Sequence, residues 1–186
     1  MSIEPIDRSG KEVGPPYTYT TRFSYPEKCQ CVILTIDSLN TVVAAVYRPP
    51  GTQLASFKKL LSWIQEYLES SKNPDIYITG DFNLPNINWE TLAISRDLGT
   101  NGTSSAQALL DHLSANFFSQ LVDTPTRLNN ILDLVVTNRS HYVAEIESTT
   151  TKLSDHNLVC VKLAQREKII NHLTLNHLVK PRFSAI

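Results

Sequence analysis

The 186-residue sequence has only three cysteines, Cys29, Cys31 and Cys160, and no histidine or cysteine stands at the spacing of a zinc finger. The odd number argues against a disulfide framework, so we expect free thiols in a reducing compartment. No apolar run approaches the length that spans a membrane, and the N-terminus has no hydrophobic signal segment. These absences predict an intracellular protein, in the nucleus or the cytoplasm, without membrane contact.

The sequence also lacks an excess of positive charge. Its formal net charge is −1 at pH 7, with 19% charged and 41% hydrophobic residues. This balance is typical of a soluble globular protein and excludes a polycation, so any nucleic-acid contact must come from a local basic patch. The length suits one domain with a proper core.

What is present is an alternation of β-branched runs and amphipathic segments, which predicts a mixed α/β domain. Strands are predicted at residues 31–37, 41–47, 75–80, 118–122, 131–137, 143–147 and 158–163, and helices at 54–70 and 104–116. Outside these elements we expect an irregular lead-in at 1–22, a mobile loop at 91–103 and a basic, apolar tail at 166–186, around a domain at 23–165.

Polar residues directly follow the central predicted strand, in the motif GDFN. Gly80 lets backbone or ligand approach closely, and Asp81 and Asn83 come next. Strand ends are where α/β sheets place their chemistry, and a carboxylate there is costly to bury without a function. Gly, Asp and Asn also form ordinary turns, so for this motif alone the functional and the structural interpretations weigh about equally.

Two other segments carry polar residues that need an explanation. Asp133 lies inside the apolar strand ILDLVVT and requires a partner, for which Arg127 and His156 are the candidates. Asp155 and His156 precede the last predicted strand, where the simplest interpretation is an exposed turn. A histidine held by a buried carboxylate is, however, oriented and kept basic, which suits phosphate or water chemistry.

Tyr47 and Arg48 stand at the end of the strand at 41–47, which the following prolines must stop. A phenol and a guanidinium at this position could contact a phosphate. Taken alone, the pair favours ordinary surface residues by about two to one, because exposed aromatics and arginines are common.

In their order along the chain, the segments VYRPPG, ITGDFNLPNINW, PTR…LDLVVTN and SDHNLV resemble the endonuclease domain of non-LTR (LINE-type) retrotransposons, within the endonuclease/exonuclease/phosphatase superfamily. The resemblance runs from about Cys31 to Leu163. It implies a four-layer fold, a two-sheet β-sandwich flanked by helices, and hydrolysis of DNA phosphodiesters with Mg²⁺ or Mn²⁺. DNA is the implied partner, and a reverse transcriptase domain is expected downstream.

The resemblance also implies a role for each polar residue. Asp81 would orient or activate the attacking water, and Asn83 would hold the scissile phosphate. His156 would polarise the phosphate or share the role of base, with Asp133 steadying its imidazole, and Tyr47 would contact the phosphate near the leaving group. The other implied assignments are phosphate or DNA contacts for Arg48, Arg127 and Ser154, and metal coordination for Asp155 and Asp81. This oxygen-rich set suits Mg²⁺.

One departure from the family pattern bears on activity. The family begins with a strand that carries an asparagine and a strand that carries a glutamate, its principal metal ligand, whereas residues 1–30 have no glutamate at the end of an apolar strand. We therefore expect a domain that is incomplete at the N-terminus and weak or inactive, with self-association through an exposed sheet edge. The alternatives are a phosphatase or phosphodiesterase of the same fold, and a non-catalytic module that binds nucleic acid or protein.

Overall fold

The computed structural model describes residues 19–24, 29–69, 73–95 and 99–164. The predicted tail at 166–186 and the lead-in before residue 19 lie outside these ranges. The described part is a mixed α/β domain built on one multi-stranded sheet and two helices, which confirms the predicted fold class. None of its helices is long and apolar enough to cross a membrane.

Ten strands and two helices follow one another along the described chain. The strands are β1 (Tyr19–Ser24), β2 (Gln30–Ile36), β3 (Thr41–Tyr47), β4 (Asp75–Asp81), β5 (Ile87–Asn88), β6 (Ala93–Ile94), β7 (Ser119–Gln120), β8 (Asp133–Thr137), β9 (Val143–Thr149) and β10 (Leu158–Leu163), and the helices are α1 (Leu54–Glu69) and α2 (Gly99–Ala115). Six of the strands form the main sheet, in the order β1-β2-β3-β4-β8-β7.

The predicted hairpin between β2 and β3 is present. A single turn of 3₁₀-helix, Asp37–Leu39, joins the two strands, and Asn40 leaves it in the left-handed region with φ 47°. Asparagine is one of the few residues that adopt this conformation at low cost. The next connection, from β3 through α1 to β4, makes β3 and β4 the parallel pair at the centre of the sheet.

Both helices pack on the same face of this sheet. Their apolar stripes and the alternate residues of the central strands form one buried cluster, in which the ring centroids of Phe57 and Phe82 lie 6.5 Å apart, edge to face. The strand residues that face the helices are Cys31, Ile33, Val42, Ala44, Val46, Ile76, Ile78, Leu134 and Val136. Because side chains alternate along a strand, the residues between them lie on the opposite face.

Two predictions about irregular segments are wrong. Residues 19–22 were expected to be irregular, but they belong to β1, whose backbone pairs with β2. Residues 99–103 were expected in a loop, but α2 begins at Gly99. The side chain of Asn101 accepts a hydrogen bond from the Leu54 backbone and donates one to the Thr52 carbonyl. These long-range contacts offset the poor helix propensity of the glycines in this first turn.

Strands β9 and β10 form a two-stranded sheet of their own, and within the described residues neither is hydrogen-bonded to the main sheet. The apolar side chains of Val161 and Leu163 are 38% and 46% exposed. A paired strand with a free edge and exposed apolar residues can pair with another chain. Self-association through this edge therefore stays a prediction.

The thiols are expected to differ sharply in reactivity. Cys29 and Cys31 are fully buried and Cys160 is exposed. Burial raises the pKa of the Cys31 thiol to about 12, and the thiolate is the reactive form. In the folded protein, Ellman's reagent should therefore react rapidly with one thiol. The Cys160→Ser variant should have no rapidly reacting thiol until guanidinium unfolds the protein. Rapid reaction of two or three thiols without denaturant would contradict the burial.

Candidate active site

Three of the predicted site residues lie in one row across neighbouring strands. Tyr47 at the end of β3 is the Cα partner of Asp81 in β4, and Asp81 is the partner of Asp133 in β8. Since Val46 and Leu134 face the helices, the row lies on the opposite face of the sheet. Tyr47 is 44% exposed, so its phenol is accessible on the same face of the sheet as the two carboxylates.

The close approach of β3 and β4 depends on Gly80. This residue has φ +131°, and a β-carbon built on it would overlap the carbonyl oxygen of Val46 and lie 2.9 Å from the Val46 nitrogen. Only glycine fits so close to a neighbouring backbone. Just beyond it, the Arg48 nitrogen donates to the Asp81 carbonyl at 2.8 Å, which continues the parallel pairing up to the site.

Asp81 and Asn83 are hydrogen-bonded to each other. The Asn83 backbone nitrogen donates to Asp81 Oδ1 at 2.9 Å, and the Asn83 side-chain nitrogen donates to Asp81 Oδ2 at 3.1 Å. Asn83 reaches both oxygens because its backbone has φ 50°. This arrangement holds the carboxylate in one orientation and leaves the Asn83 carboxamide beside it.

Several influences act on the protonation of Asp81. Burial raises the pKa of its carboxyl, the hydrogen bond from the Asn83 backbone lowers it, and the negative charge of Asp133 raises it further. The positive charges of His156 and Arg127 act in the opposite direction, and the net result is a raised pKa. A carboxylate with a raised pKa is a stronger base than an exposed one, as proton abstraction from water requires.

The partner of Asp133 is His156. The distance from His156 Nδ1 to Asp133 Oδ2 is 2.7 Å, and His156 Nε2 lies 4.0 Å from Asp81 Oδ2. When the neutral ring donates from Nδ1 to Asp133, Nε2 is left as the acceptor. The ring therefore lies between two carboxylates. Asp133 is hydrogen-bonded to Nδ1, and the Asp81 carboxylate lies 4.0 Å from Nε2.

Two residues that the sequence did not single out position this pair. The Thr126 hydroxyl, fully buried, accepts hydrogen bonds from the backbone nitrogens of Leu132 and Asp133, at 3.0 Å each. The Asn157 nitrogen donates to the Thr126 carbonyl at 2.7 Å, which brings the histidine segment to the start of β8. Thr126 belongs to the PTR segment, but a threonine after a proline carries no signal that distinguishes this role from an ordinary turn.

Arg48 has partners other than those predicted for it. It was expected to contact phosphate, but its side chain is only 3% exposed. Its guanidinium donates to the carbonyl oxygens of Phe82, Asn83 and Thr52, at 3.2 to 3.3 Å, and lies 5.1 Å from the centroid of the Phe57 ring. Arg48 therefore fixes the backbone of the GDFN segment through hydrogen bonds to its carbonyl oxygens.

Replacement of Arg48 by methionine should destabilise the fold by about 2–4 kcal/mol, because it leaves buried carbonyl oxygens without a donor. Lysine should recover only part of the loss, since an ammonium cannot reach the same oxygens in a fork geometry. Urea unfolding followed by circular dichroism measures both variants. A methionine variant within about 0.5 kcal/mol of the wild type would show that these hydrogen bonds contribute little.

The remaining predicted residues interact among themselves. Arg127 Nε and Nη2 contact Asp155 Oδ2 at 2.8 and 2.6 Å, and this interaction lowers the pKa of the Asp155 carboxyl. The Ser154 hydroxyl accepts a hydrogen bond from the His156 backbone at 3.1 Å. Asp155, expected to bind metal, is thus paired with Arg127, expected to bind phosphate. The pair lies at the surface, where such ion pairs contribute little to stability.

The donor set does not form a complete metal site. Asp81 and Asp133 offer carboxylate oxygens, which are the ligands that Mg²⁺ prefers. One oxygen of Asp133 is hydrogen-bonded to His156, and both oxygens of Asp81 accept hydrogen bonds from Asn83. In the part of the chain that the structure describes, no group of three or more His, Cys, Asp or Glu side chains could hold a metal ion. The row thus offers a metal ion two carboxylates, fewer than a site built from protein groups alone requires, and Mg²⁺ bound there would keep several waters.

The arrangement can nonetheless perform acid–base chemistry on a phosphate ester. Asp81 can take a proton from water, and His156, oriented by Asp133, can transfer a proton through Nε2. The Asn83 carboxamide and the Tyr47 hydroxyl can donate hydrogen bonds to oxygens that gain negative charge. The structure brings together five predicted catalytic residues: Tyr47, Asp81, Asn83, Asp133 and His156.

A family model described as endonuclease-reverse transcriptase matches residues 41–160, which is more than half of the chain. A comparison with curated proteins found no significant match.

The solved structures that are similar to the chain include the following three. They are endonuclease/exonuclease/phosphatase family proteins from Bacteroides thetaiotaomicron (14% identity, TM-score 0.47, 75% of this chain and 55% of that one) and from Leptotrichia buccalis (15% identity, TM-score 0.46, 80% and 61%), and a mannosyl-6-phosphatase from B. thetaiotaomicron (13% identity, TM-score 0.43, 74% and 57%). The chain therefore spans 55–61% of the length of these structures.

Proposed function

Because the chain belongs to the endonuclease-reverse transcriptase family of the endonuclease/exonuclease/phosphatase superfamily, we propose that it forms part of a retrotransposon-type endonuclease that hydrolyses DNA phosphodiesters. The observation that carries this proposal is the position of His156. Its ring is bonded to Asp133 at 2.7 Å and presents Nε2 to Asp81 across 4.0 Å. Three segments distant in the sequence thus meet at a spot that suits one phosphate group.

In the proposed reaction, Asp81 accepts a proton from the attacking water, and Asn83 holds the orientation of the Asp81 carboxylate. His156 Nε2 contacts a phosphate oxygen and, when the ring is charged, can supply a proton there. Tyr47 lies on the other side of Asp81 in the same row and donates to an ester oxygen. Each role needs only the positions and the hydrogen-bonding capacity of the side chains.

We further propose that the chain alone is a weak nuclease. Phosphodiester hydrolysis needs compensation for the negative charge that develops on the phosphate, and loss of one such stabiliser typically costs about 10²–10³ in rate. Among the described residues no group of three or more His, Cys, Asp or Glu side chains could hold a metal ion to supply that compensation. The family resemblance implies Mg²⁺ or Mn²⁺, so assays should contain one of them.

The test is nicking of supercoiled plasmid by the wild-type chain with Mg²⁺ or Mn²⁺, beside release of phosphate from an inositol phosphate. We expect slow nicking, its loss in Asp81→Ala, and its retention in Asp111→Ala, a matched change on the exposed side of α2. Rapid nicking would contradict the proposal that the chain alone is a weak nuclease. Phosphate release without nicking would indicate that the chain is a phosphatase instead. Nicking that survives in Asp81→Ala would contradict the proposed site.

If no nicking is detected, an assay of DNA binding tests the proposed function. The wild-type chain should bind a short DNA duplex in the presence of Mg²⁺, and the dissociation constant should rise with salt concentration because phosphate contacts release counterions. Absence of binding at low salt would contradict the proposal. Binding that is equally strong without a divalent ion, together with absent hydrolysis, would favour a non-catalytic module.

A further inference from the structure

A cleft of about 860 Å³ is formed by two segments that adjoin residues of the proposed active site in the sequence. One wall comes from residues within 85–95, which follow Asn83, and the other from residues within 120–131, which precede Asp133. One wall therefore begins two residues after Asn83, and the other ends two residues before Asp133. The volume lies in the range typical of sites for small organic groups.

The wall nearest Asp133 is a tight turn. The Arg127 nitrogen donates to the Asn130 carbonyl at 3.1 Å, and the Asn130 nitrogen donates to the Arg127 carbonyl at 2.9 Å. This reciprocal pair fixes Asn129 and Asn130 at the edge of the cleft, while Arg127 faces Asp155 on the other side. The turn from Arg127 to Asn130 thus connects the cleft to the ion pair between Arg127 and Asp155.

The charges of the described residues around the cleft disfavour a second phosphate site. Glu90 and Asp123 contribute to its lining, and none of the described residues that line it is a lysine or an arginine. Two acids without a cation repel a phosphate. The ligand group inside the cleft should therefore carry no negative charge, even though the neighbouring active site is suited to an anion.

The other lining groups suit a flat ligand with polar edges. Trp89, which packs partly on the core, offers an aromatic surface for stacking. The side-chain amides of Asn129 and Asn130 make no hydrogen bond to any described residue, whereas those of Asn86 and Gln120 donate to backbone carbonyls. Two carboxamides with unused donors and acceptors beside an aromatic ring match the edge and the face of a nucleobase.

We infer that this cleft binds a nucleobase, namely a base next to the scissile phosphate, stacked on Trp89 and hydrogen-bonded by Asn129 and Asn130. The inference rests on the proposed function, since it supposes a nucleic-acid substrate. It adds a base-reading element to a site whose other contacts go to phosphate. Stacking supplies affinity for any base, and the two amides supply the preference among bases.

The test uses the fluorescence of Trp89 in the full chain. The chain has two tryptophans, so Trp63→Phe leaves Trp89 as the reporter. The Trp63→Phe protein is titrated with deoxyadenosine, deoxyguanosine, deoxycytidine and thymidine, and separately with deoxyribose and inorganic phosphate. We expect saturable quenching by at least one nucleoside in the millimolar range or below, and none by the sugar or by phosphate.

Alanine at both Asn129 and Asn130 in this background should weaken nucleoside binding about 3- to 10-fold. A matched change, Gln107→Ala on α2, should leave it unaltered, and circular dichroism verifies that both variants are folded. Absence of saturable quenching, equal quenching by phosphate or deoxyribose, or equal affinity in the asparagine and glutamine variants would each overturn the inference. Nucleoside binding needs no catalysis. Nucleoside binding without nicking would therefore retain the cleft and leave the duplex-binding assay to decide the proposed function. Nicking without nucleoside binding would retain the nuclease and reject the cleft.

Discussion

Alanine at His156 should lower the rate of phosphodiester hydrolysis at least about 100-fold, the lower end of what a positioned acid–base residue contributes. The reason is geometric. His156 presents Nε2 to the spot that Asp81 also borders, 4.0 Å from the Asp81 carboxylate. Among the described residues no other histidine is paired with Asp81 or Asp133. The measurement is the initial rate of plasmid nicking at high enzyme concentration, because the wild-type rate is expected to be low.

The same experiment tests whether Asp133 acts through His156. Asp133 bonds Nδ1 at 2.7 Å, so its replacement by alanine removes the group that orients the ring. If both residues act as a unit, the double variant should be no slower than the slower single variant, within about threefold, because effects of coupled residues do not add. The nicking rates of the two single variants and of the double variant decide this.

His141→Ala provides the control. His141 is exposed, and its ring stacks near Tyr142 with centroids 4.2 Å apart. It should leave the nicking rate unchanged. A rate in His156→Ala within threefold of the wild type would reject the catalytic assignment. Fully multiplicative losses in the double variant would instead give Asp133 a role of its own.

Alanine at Gly80 should destabilise the fold by about 4 kcal/mol or more, in the range reserved for severe steric or backbone faults. A β-carbon at this position overlaps the Val46 carbonyl, and φ is +131°, a conformation that alanine rarely adopts. The central pair of strands, β3 and β4, would have to separate to relieve the overlap. For a chain of this length the loss corresponds to a fall in Tm of about 8–16 °C.

Gly51→Ala is the matched control. Gly51 also has a positive φ, +70°, but a β-carbon there would meet no atom within 4 Å. Its cost should therefore be confined to backbone strain, about 1–2 kcal/mol. Differential scanning calorimetry of both variants separates the two effects. Equal Tm values would show that the close contact between β3 and β4 does not limit residue 80 to glycine.

Much of the framework was predictable because its signals are local. Runs of β-branched residues marked β2, β3, β4 and β10 to within one or two residues, and the apolar stripe of α1 marked that helix. Short elements were predicted less well. The strand expected at 118–122 is only Ser119–Gln120, although the Leu121 nitrogen still donates to the Val135 carbonyl of β8 at 2.9 Å. The start of α2 depends on contacts from Asn101 to the segment before α1, which no local pattern reports.

The sequence by itself determined which polar residues stand at strand ends, because strand pattern and chain breakers are readable within a few neighbours. Only the tertiary structure decided how they pair. Asp133 had two candidate partners, and folding brings it to His156 while Arg127 binds Asp155. Arg48 looked exposed beside its prolines, yet it lies under the GDFN segment. Such pairings depend on the register of β3, β4 and β8 and on where distant loops pack, and those positions follow from burial of the whole core rather than from any single stretch.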